Sequence, residues 1–296
     1  MGTCFTCCND NEPIVHTALK LPHGVHSIVI PHASSQFTEY KSIDQWLQSL
    51  YASSSWTGWL VYNDETGHLG DPKHKKGHCK GIIAWNESRI SFLVHSVPNF
   101  PREFTGTTIS LIEPGEHIYG QSFCYVERAC DATFIQEFLS HIMLMEPHIY
   151  IKQNVPTFPV LAKQSSIHII SFSNTITHHA KPPYMEKDIY SDHLASYDTS
   201  MWYVETWKRG LPITTKKANV TELEHVTWNQ HRWKESQDHS KWAVSSDYVW
   251  FGDLNRMTSQ YKRGGGGFLL GNNKMASAFM SLCKDVPPPV VQKNIV

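Results

Sequence analysis

A chain of 296 residues, 41% hydrophobic and 18% charged, has an ordinary globular composition with length for one large core or two packed halves. No stretch approaches the roughly 18 consecutive apolar residues of a bilayer span, so a transmembrane helix is excluded and a soluble protein is expected. The formal charge of −1 at neutral pH argues against attraction of a polyanion under those conditions.

From the N-terminus, Met1-Gly2-Thr3-Cys4 shows neither the basic nor the apolar region of a secretory signal. Met1-Gly2-x-x-x-Thr6 fits the myristoylation pattern, with Cys4, Cys7 and Cys8 as palmitoylation candidates, although so short a pattern recurs by accident. Ser27–Ile30 and Gly58–Tyr62 read as strands around a helix at Ser42–Leu47. Asn63-Asp64-Glu65-Thr66-Gly67 reads as a turn, followed by a basic, flexible stretch through Lys76. Gly81–Trp85 and Ile90–Val94 form an expected hairpin bending at Asn86-Glu87-Ser88, and Phe134–Met145 an expected helix. A strand at Ile167–Phe172 precedes a long polar helix-and-loop region reaching Asp238, a strand at Val249–Gly252, a helix near Met275–Cys283 and the tail Pro287-Pro288-Pro289. The pattern is mixed α/β, without the short-period repeat of a solenoid.

Histidine changes the electrostatic reading. Protonating all 18 histidines would carry the formal charge from −1 to +17, an upper bound because burial keeps some imidazoles neutral. Acidification therefore turns the surface toward one that attracts phosphate. Of the seven cysteines, Cys4, Cys7 and Cys8 cluster without a second pair to complete a zinc site. A disulfide from the N-terminal arm to the body is the preferred reading, no metal or other cofactor is expected, and the odd count leaves one thiol over.

An echo runs through the chain. His78-Cys79-Lys80 lies 17 residues before His95, and His239-Ser240-Lys241 lies 16 residues before Asn255. Two halves, 1–150 and 151–296, each supplying a His-x-Lys and a polar residue on a neighbouring strand, suggest an internal duplication with one composite site. Residues i and i+2 of a strand share a face, so each triplet aims an imidazole and an ammonium at one target. For a phosphodiester, lysine stabilises charge, one imidazole attacks phosphorus and the other protonates the leaving oxygen. His74-Lys75-Lys76 and His179-Ala180-Lys181 also fit the triplet and read as solvated loop charges.

The flanking residues carry a resemblance. Gly77-His78-Cys79-Lys80-Gly81 with Phe92–Pro101, and Asp238-His239-Ser240-Lys241-Trp242 with Gly252-Asp253-Leu254-Asn255-Arg256 and Arg263-Gly264-Gly265-Gly266, resemble the two signatures of the DNase II family. Tyr119-Gly120-Gln121-Ser122 and Lys20-Leu21-Pro22 also match. The resemblance implies a phospholipase-D-like fold, two similar α/β/α halves forming a pseudo-dimer. It implies metal-independent cleavage of DNA at acid pH, leaving 3′-phosphate and 5′-hydroxyl ends, and a lysosomal or secreted location. By motif, His78, Lys80, His239 and Lys241 are catalytic, His95 supports them, and Asn255 holds His95's place in the second half. Analogy favours His78 as nucleophile and His239 as general acid, with the reverse left open.

The chain departs from the family pattern where cysteines are usual near the second triplet; Ala243, Phe251 and Phe268-Leu269 stand there, which weakens the lysosomal expectation. A pairing of Cys124 with an N-terminal cysteine stays plausible, and the sequons at Asn86 and Asn219 lean slightly toward a secretory route. Gly264, Gly265 and Gly266, with Gly267, either let backbone amides approach a phosphate or form a flexible turn. Asp253 either buttresses a histidine or caps a turn, and Trp242 packs in the core or stacks a base. Lys73, His74, Lys75 and Lys76 contact DNA or form a solvated loop. Whether a homodimer embraces the duplex stays open.

Overall fold

The computed structural model describes residues 12–31, 34–52, 55–66, 76–208 and 219–284. Cys4, Cys7 and Cys8 with the N-terminal acylation pattern, Lys73, His74, Lys75 and the Pro287–Pro289 tail lie outside the described residues.

The first part of the chain forms β1 (Ile14–Lys20), β2 (Ser27–Pro31), β3 (Thr38–Tyr40), α1 (Ile43–Tyr51), β4 (Gly58–Asn63), β5 (Lys80–Trp85), β6 (Arg89–His95), β7 (Gln121–Ala129), α2 (Ala132–Met143) and β8 (Ile149–Gln153). The second forms β9 (His168–Ser171), β10 (Ile176–Lys181), α3 (Ile189–Asp192), β11 (Trp202–Thr206), β12 (Val220–Glu222), a hairpin of β13 (His225–Trp228) and β14 (His231–Lys234), β15 (Lys241–Val244), β16 (Tyr248–Gly252), β17 (Gly265–Gly271) and α4 (Asn273–Met280). One sheet runs β3-β2-β1-β7-β6-β5-β4-β8 and the other β12-β11-β15-β16-β17-β10-β9. The stretches β1-β7-β6-β5-β4 and β10-β17-β16-β15-β11 are antiparallel throughout and follow the same chain order.

Side-chain alternation sorts the strands into layers. Ile83, Phe92, Val94, Trp242, Val244, Val249 and Phe251 turn toward one shared core with Phe138 of α2 and Phe279 of α4. Their neighbours Ile82, Ala84 and Leu93 face outward beneath α1, while Ala243 and Trp250 face α3. The two-residue period thus gives every central strand two buried faces, which is why β5 and β6 read as near-continuous apolar runs. Each large side chain so buried contributes about 1.5–3 kcal/mol. Ser42, Asp131 and Asn272 accept backbone N–H bonds as N-caps and fix where α1, α2 and α4 begin.

Several expectations change here. Among its described residues, the polar region before Asp238 contains five strands, β10 to β14, and one short α-helix besides 3-10 turns. His179-Ala180-Lys181 is buried in β10 and is no solvated loop. Glycines 265–267 open β17 and are buried; a Cβ on Gly266 would meet the His179 carbonyl, and one on Gly264 the Met145 carbonyl. These glycines serve close packing, where a flexible turn was one reading. Trp242 is a core residue against Phe279. Cys124 sits in the core with a free thiol, as Cys79, Cys130 and Cys283 also have among the described residues, so Cys124 does not make the bridge to the N-terminal arm that one reading allowed.

Candidate active site

Each lysine of the two triplets opens a strand, Lys80 in β5 and Lys241 in β15, and its histidine stands just before the strand begins. The histidine backbones are held crosswise between the sheets. His78 N–H donates to the Gly264 carbonyl at 2.8 Å and His239 N–H to the Gly120 carbonyl at 2.9 Å. Gly264 and Gly120 each immediately precede the strand of the opposite sheet that pairs with its first long strand, β17 and β7.

The two imidazoles have different surroundings. His78 Nδ1 lies 2.7 Å from the Asp253 backbone carbonyl; a carbonyl only accepts, so Nδ1 carries the proton and Nε2 keeps its lone pair. Burial, opposed by Asp64 and assisted by Lys80 and Lys241, pushes His78 down to about 3. His239 is stacked on Tyr119 (4.3 Å between centroids, 13°) and meets Trp207 edge-on (4.2 Å, 87°). Its Nδ1 is 3.6 Å from Glu116 Oε2. Burial and the nearby Glu65 push the Glu116 carboxyl up to about 7.

The two ammonium groups differ as well. Lys80 Nζ donates to Asp64 Oδ1 at 2.5 Å and lies 3.7 Å from Glu65, while Arg263 Nη2 holds Asp64 Oδ2 at 2.8 Å. Burial works against the charge on Lys80, but Asp64 and Glu65 outweigh it and hold the ammonium above its ordinary value. Burial is likewise outweighed at Asp64, which Lys80, His78 and Arg263 hold below the carboxylate range. Lys241 Nζ donates to the His239 carbonyl at 2.6 Å, and burial, then Lys80, pushes it down to about 8. Lys241 is the less compensated cation.

His95 closes β6, its ring edge-on to Phe100 at 5.2 Å. Both of its ring nitrogens are buried with no partner among the described residues, a cost of about 1–3 kcal/mol per unmade bond. Burial, then Lys80 and Lys241, pushes it down to about 3.

Asp253 acts through more than its carbonyl. Its Oδ1 accepts from Lys80 N at 3.2 Å and its Oδ2 from Gly266 N at 3.2 Å. The glycine run therefore presents the Gly264 carbonyl to His78 and gives the Gly266 amide to Asp253, so that one amide is not free for a phosphate. Asn255 does not share His95's register. Gly81 pairs with Val94 and Trp242 with Phe251, so the position matching His95 is Gly252. The near-equal spacing along the chain does not carry over to register because the second hairpin has shorter strands. Asn255 is buried beside the lysine all the same: Arg256 N bonds Thr206 Oγ1, and Thr206 pairs with Lys241.

Sequence reasoning missed Asp64, Glu65, Glu116 and Trp207, and quoted Tyr119 and Arg263 without giving them roles. Asp64 and Glu65 read as turn residues, and their one signal was two carboxylates directly ending an apolar strand. Donor atoms of Asp64, Glu65 and His78 lie within 4.8 Å of one another, a spacing that suits a cation. Lys80 and Arg263 already occupy the Asp64 oxygens there, so a metal would have to displace them.

The family model for deoxyribonuclease II matches residues 32–288. The chain belongs to the deoxyribonuclease II family. Cell-death-related nuclease 7 of Caenorhabditis elegans is 30% identical over 259 residues, 78% of this chain and 68% of that protein. Deoxyribonuclease-2-alpha of Sus scrofa is 26% identical over 268 residues, 82% of this chain and 73% of that protein. Deoxyribonuclease-2-beta of Homo sapiens is 26% identical over 266 residues, with 80% and 73% covered. The deoxyribonuclease II match contains both triplets, His95, Glu116 and Trp207, and leaves β1 outside it.

Proposed function

We propose that this chain is a DNA-degrading hydrolase, an acid endonuclease that works without a metal at one site between its two sheets. The observation that carries the reading is the crossed anchoring of His78 and His239, each by the glycine carbonyl of the opposite sheet. The common strand order of the sheets supports a phospholipase-D-like pseudo-dimer, with 1–150 and 151–296 as its halves.

In this reading His78 Nε2 attacks phosphorus and the P–O5′ bond breaks. His239 delivers a proton to the departing 5′ oxygen, leaving a phosphohistidine whose phosphate remains joined to the 3′ oxygen. Water, deprotonated by His239, then attacks phosphorus, breaks the P–N bond and restores His78, which yields 3′-phosphate and 5′-hydroxyl ends. The neutral, singly tautomeric His78 suits attack, and the carboxyl beside His239 Nδ1 suits proton transfer. Lys241 and the single N–H of neutral His95, otherwise unpaired, hold the non-bridging oxygens, with Lys80 behind them. Asp253 supports His78, and Asn255 supports the strand end at Lys241.

Plasmid nicking at about pH 5 in EDTA tests the function. Expected is nicking that survives the chelator, falls away above about pH 7.5 and disappears in His239→Ala. Loss of nicking in EDTA, or full activity of His239→Ala, would overturn it.

A further inference from the structure

Two lysines outside the triplets occupy matching places. Lys20 ends β1 and pairs with Gln121, the first residue of β7; Lys181 ends β10 and pairs with Gly265, the first residue of β17. Both are buried, Lys20 at 1% and Lys181 at 0% exposure. Lys20 Nζ donates to the carbonyls of Tyr119 at 2.6 Å and His117 at 3.1 Å, and also to Leu21 and Gly24. Lys181 Nζ donates to the carbonyls of Arg263 at 2.9 Å and of Tyr261 at 2.8 Å. In both sheets the carbonyls taken lie two and four residues before the lysine's register partner.

The clamped loops are the ones that meet the histidines. The loop held by Lys20 brings Glu116, Tyr119 and the Gly120 carbonyl to His239 of the other sheet. The loop held by Lys181 brings the Gly264 carbonyl to His78 and Arg263 to Asp64. We infer that Lys20 and Lys181 are a crossed pair of positioning residues, each holding its own sheet's loop against the catalytic histidine of the other sheet. Neither ammonium is a substrate contact, since both are spent on backbone carbonyls. Buried carbonyls left without a donor are destabilising enough to displace such a loop.

The inference rests on the proposed nuclease reading, with His78 as nucleophile and His239 as acid, and the test separates the two. Single-turnover rates are measured on DNA and on a p-nitrophenyl phosphodiester, whose leaving group departs without a proton donor. Lys20→Met, which loosens the acid, should lose about a hundredfold on DNA and hold within about threefold of wild type on the nitrophenyl ester. Lys181→Met, which loosens the nucleophile, should lose about a hundredfold on both. If either variant fails to fold by thermal melting, Lys20→Arg and Lys181→Arg, which keep charge and donors, are read by the same ratio. Equal losses on both substrates by both variants, or losses under threefold throughout, would overturn the crossed positioning. A wild-type chain inactive on both substrates would sink the nuclease reading and the positioning with it.

Discussion

His78 donates from Nδ1 to the backbone carbonyl of Asp253 at 2.7 Å, whereas His239 turns the same nitrogen toward a carboxylate, Glu116, at 3.6 Å. Two triplets of the same His-x-Lys pattern are thereby made unequal. One imidazole is locked neutral with Nε2 as a lone pair. The other faces a group that can share and return a proton. The inequality comes from their partners, Asp253 and Glu116, and from the pairing of Asp64 with Lys80, where Lys241 has no such carboxylate pairing among the described residues.

Glu116 should set the alkaline limb of activity. Its carboxyl, at about 7, is neutral below that pH and charged above it, and a carboxylate there repels the incoming phosphodiester. Glu116→Gln should move the limb upward until Lys241 loses its proton at about 8. The profile of kcat/KM against pH for the variant checks this, and an unmoved limb would refute the role.

The two triplet lysines should fail differently. Lys241→Met should lose activity, by about a hundredfold or more, with little loss of stability. Lys80→Met strands the buried Asp64 with Arg263 alone, and breaking such a buried pair costs about 3–5 kcal/mol. Urea unfolding beside single-turnover rates separates the two; equal destabilisation by both variants would contradict the asymmetry.

The buried histidines should each withdraw stability as pH falls. His78, His95 and His179 are pushed down to about 3, and His141 and His178 well below the ordinary value of 6.5, all chiefly by burial. His141 and His178 sit in a row with His168, their nitrogens 2.7 Å apart, where α2 meets β9 and β10. A depressed folded value means the unfolded chain binds the extra protons. The stabilisation is complete above 6.5 and is lost between 6.5 and about 3, by up to about 1.4 kcal/mol per pH unit for each neutral histidine. The buried carboxyls of Glu116 and Asp253, pushed up to about 7 and about 8 chiefly by burial, work the other way because the folded chain binds their protons. The histidine part is isolated by melting wild type and His178→Phe from about pH 7 to about pH 4: Tm should fall with pH more steeply, or rise less, in wild type, and identical slopes would contradict His178 being buried and neutral.

Gly266→Ala tests the glycine run. A methyl group there meets the His179 carbonyl, so the variant should be destabilised by about 1–3 kcal/mol. Equilibrium unfolding indistinguishable from wild type would restore the flexible-turn reading.

Much of this was legible in the chain. The hairpin of β5 and β6, the helices α1, α2 and α4, and the placing of both triplets at strand entrances follow from apolar runs and their caps. The strands β10, β11 and β17 were not legible, because His178, His179, Glu205 and three glycines break the alternation that marks a strand. Those residues are tolerated where imidazoles bond each other and where backbones must touch. Asp64, Glu116 and Trp207 were hidden for another reason. Their meaning comes from partners far along the chain, and no local pattern records that. Asn255 does not share His95's register because near-equal spacing in sequence is not equal register when hairpins differ in length.

The most direct test of the central claim is to quench a wild-type turnover on DNA and locate the phosphorylated residue by mass spectrometry under conditions that preserve phosphohistidine. Expected is phosphate on His78, accumulating further in His239→Ala when a p-nitrophenyl phosphodiester is the substrate. Phosphate on His239, or DNA cleavage that persists in His78→Ala, would contradict the assignment of roles.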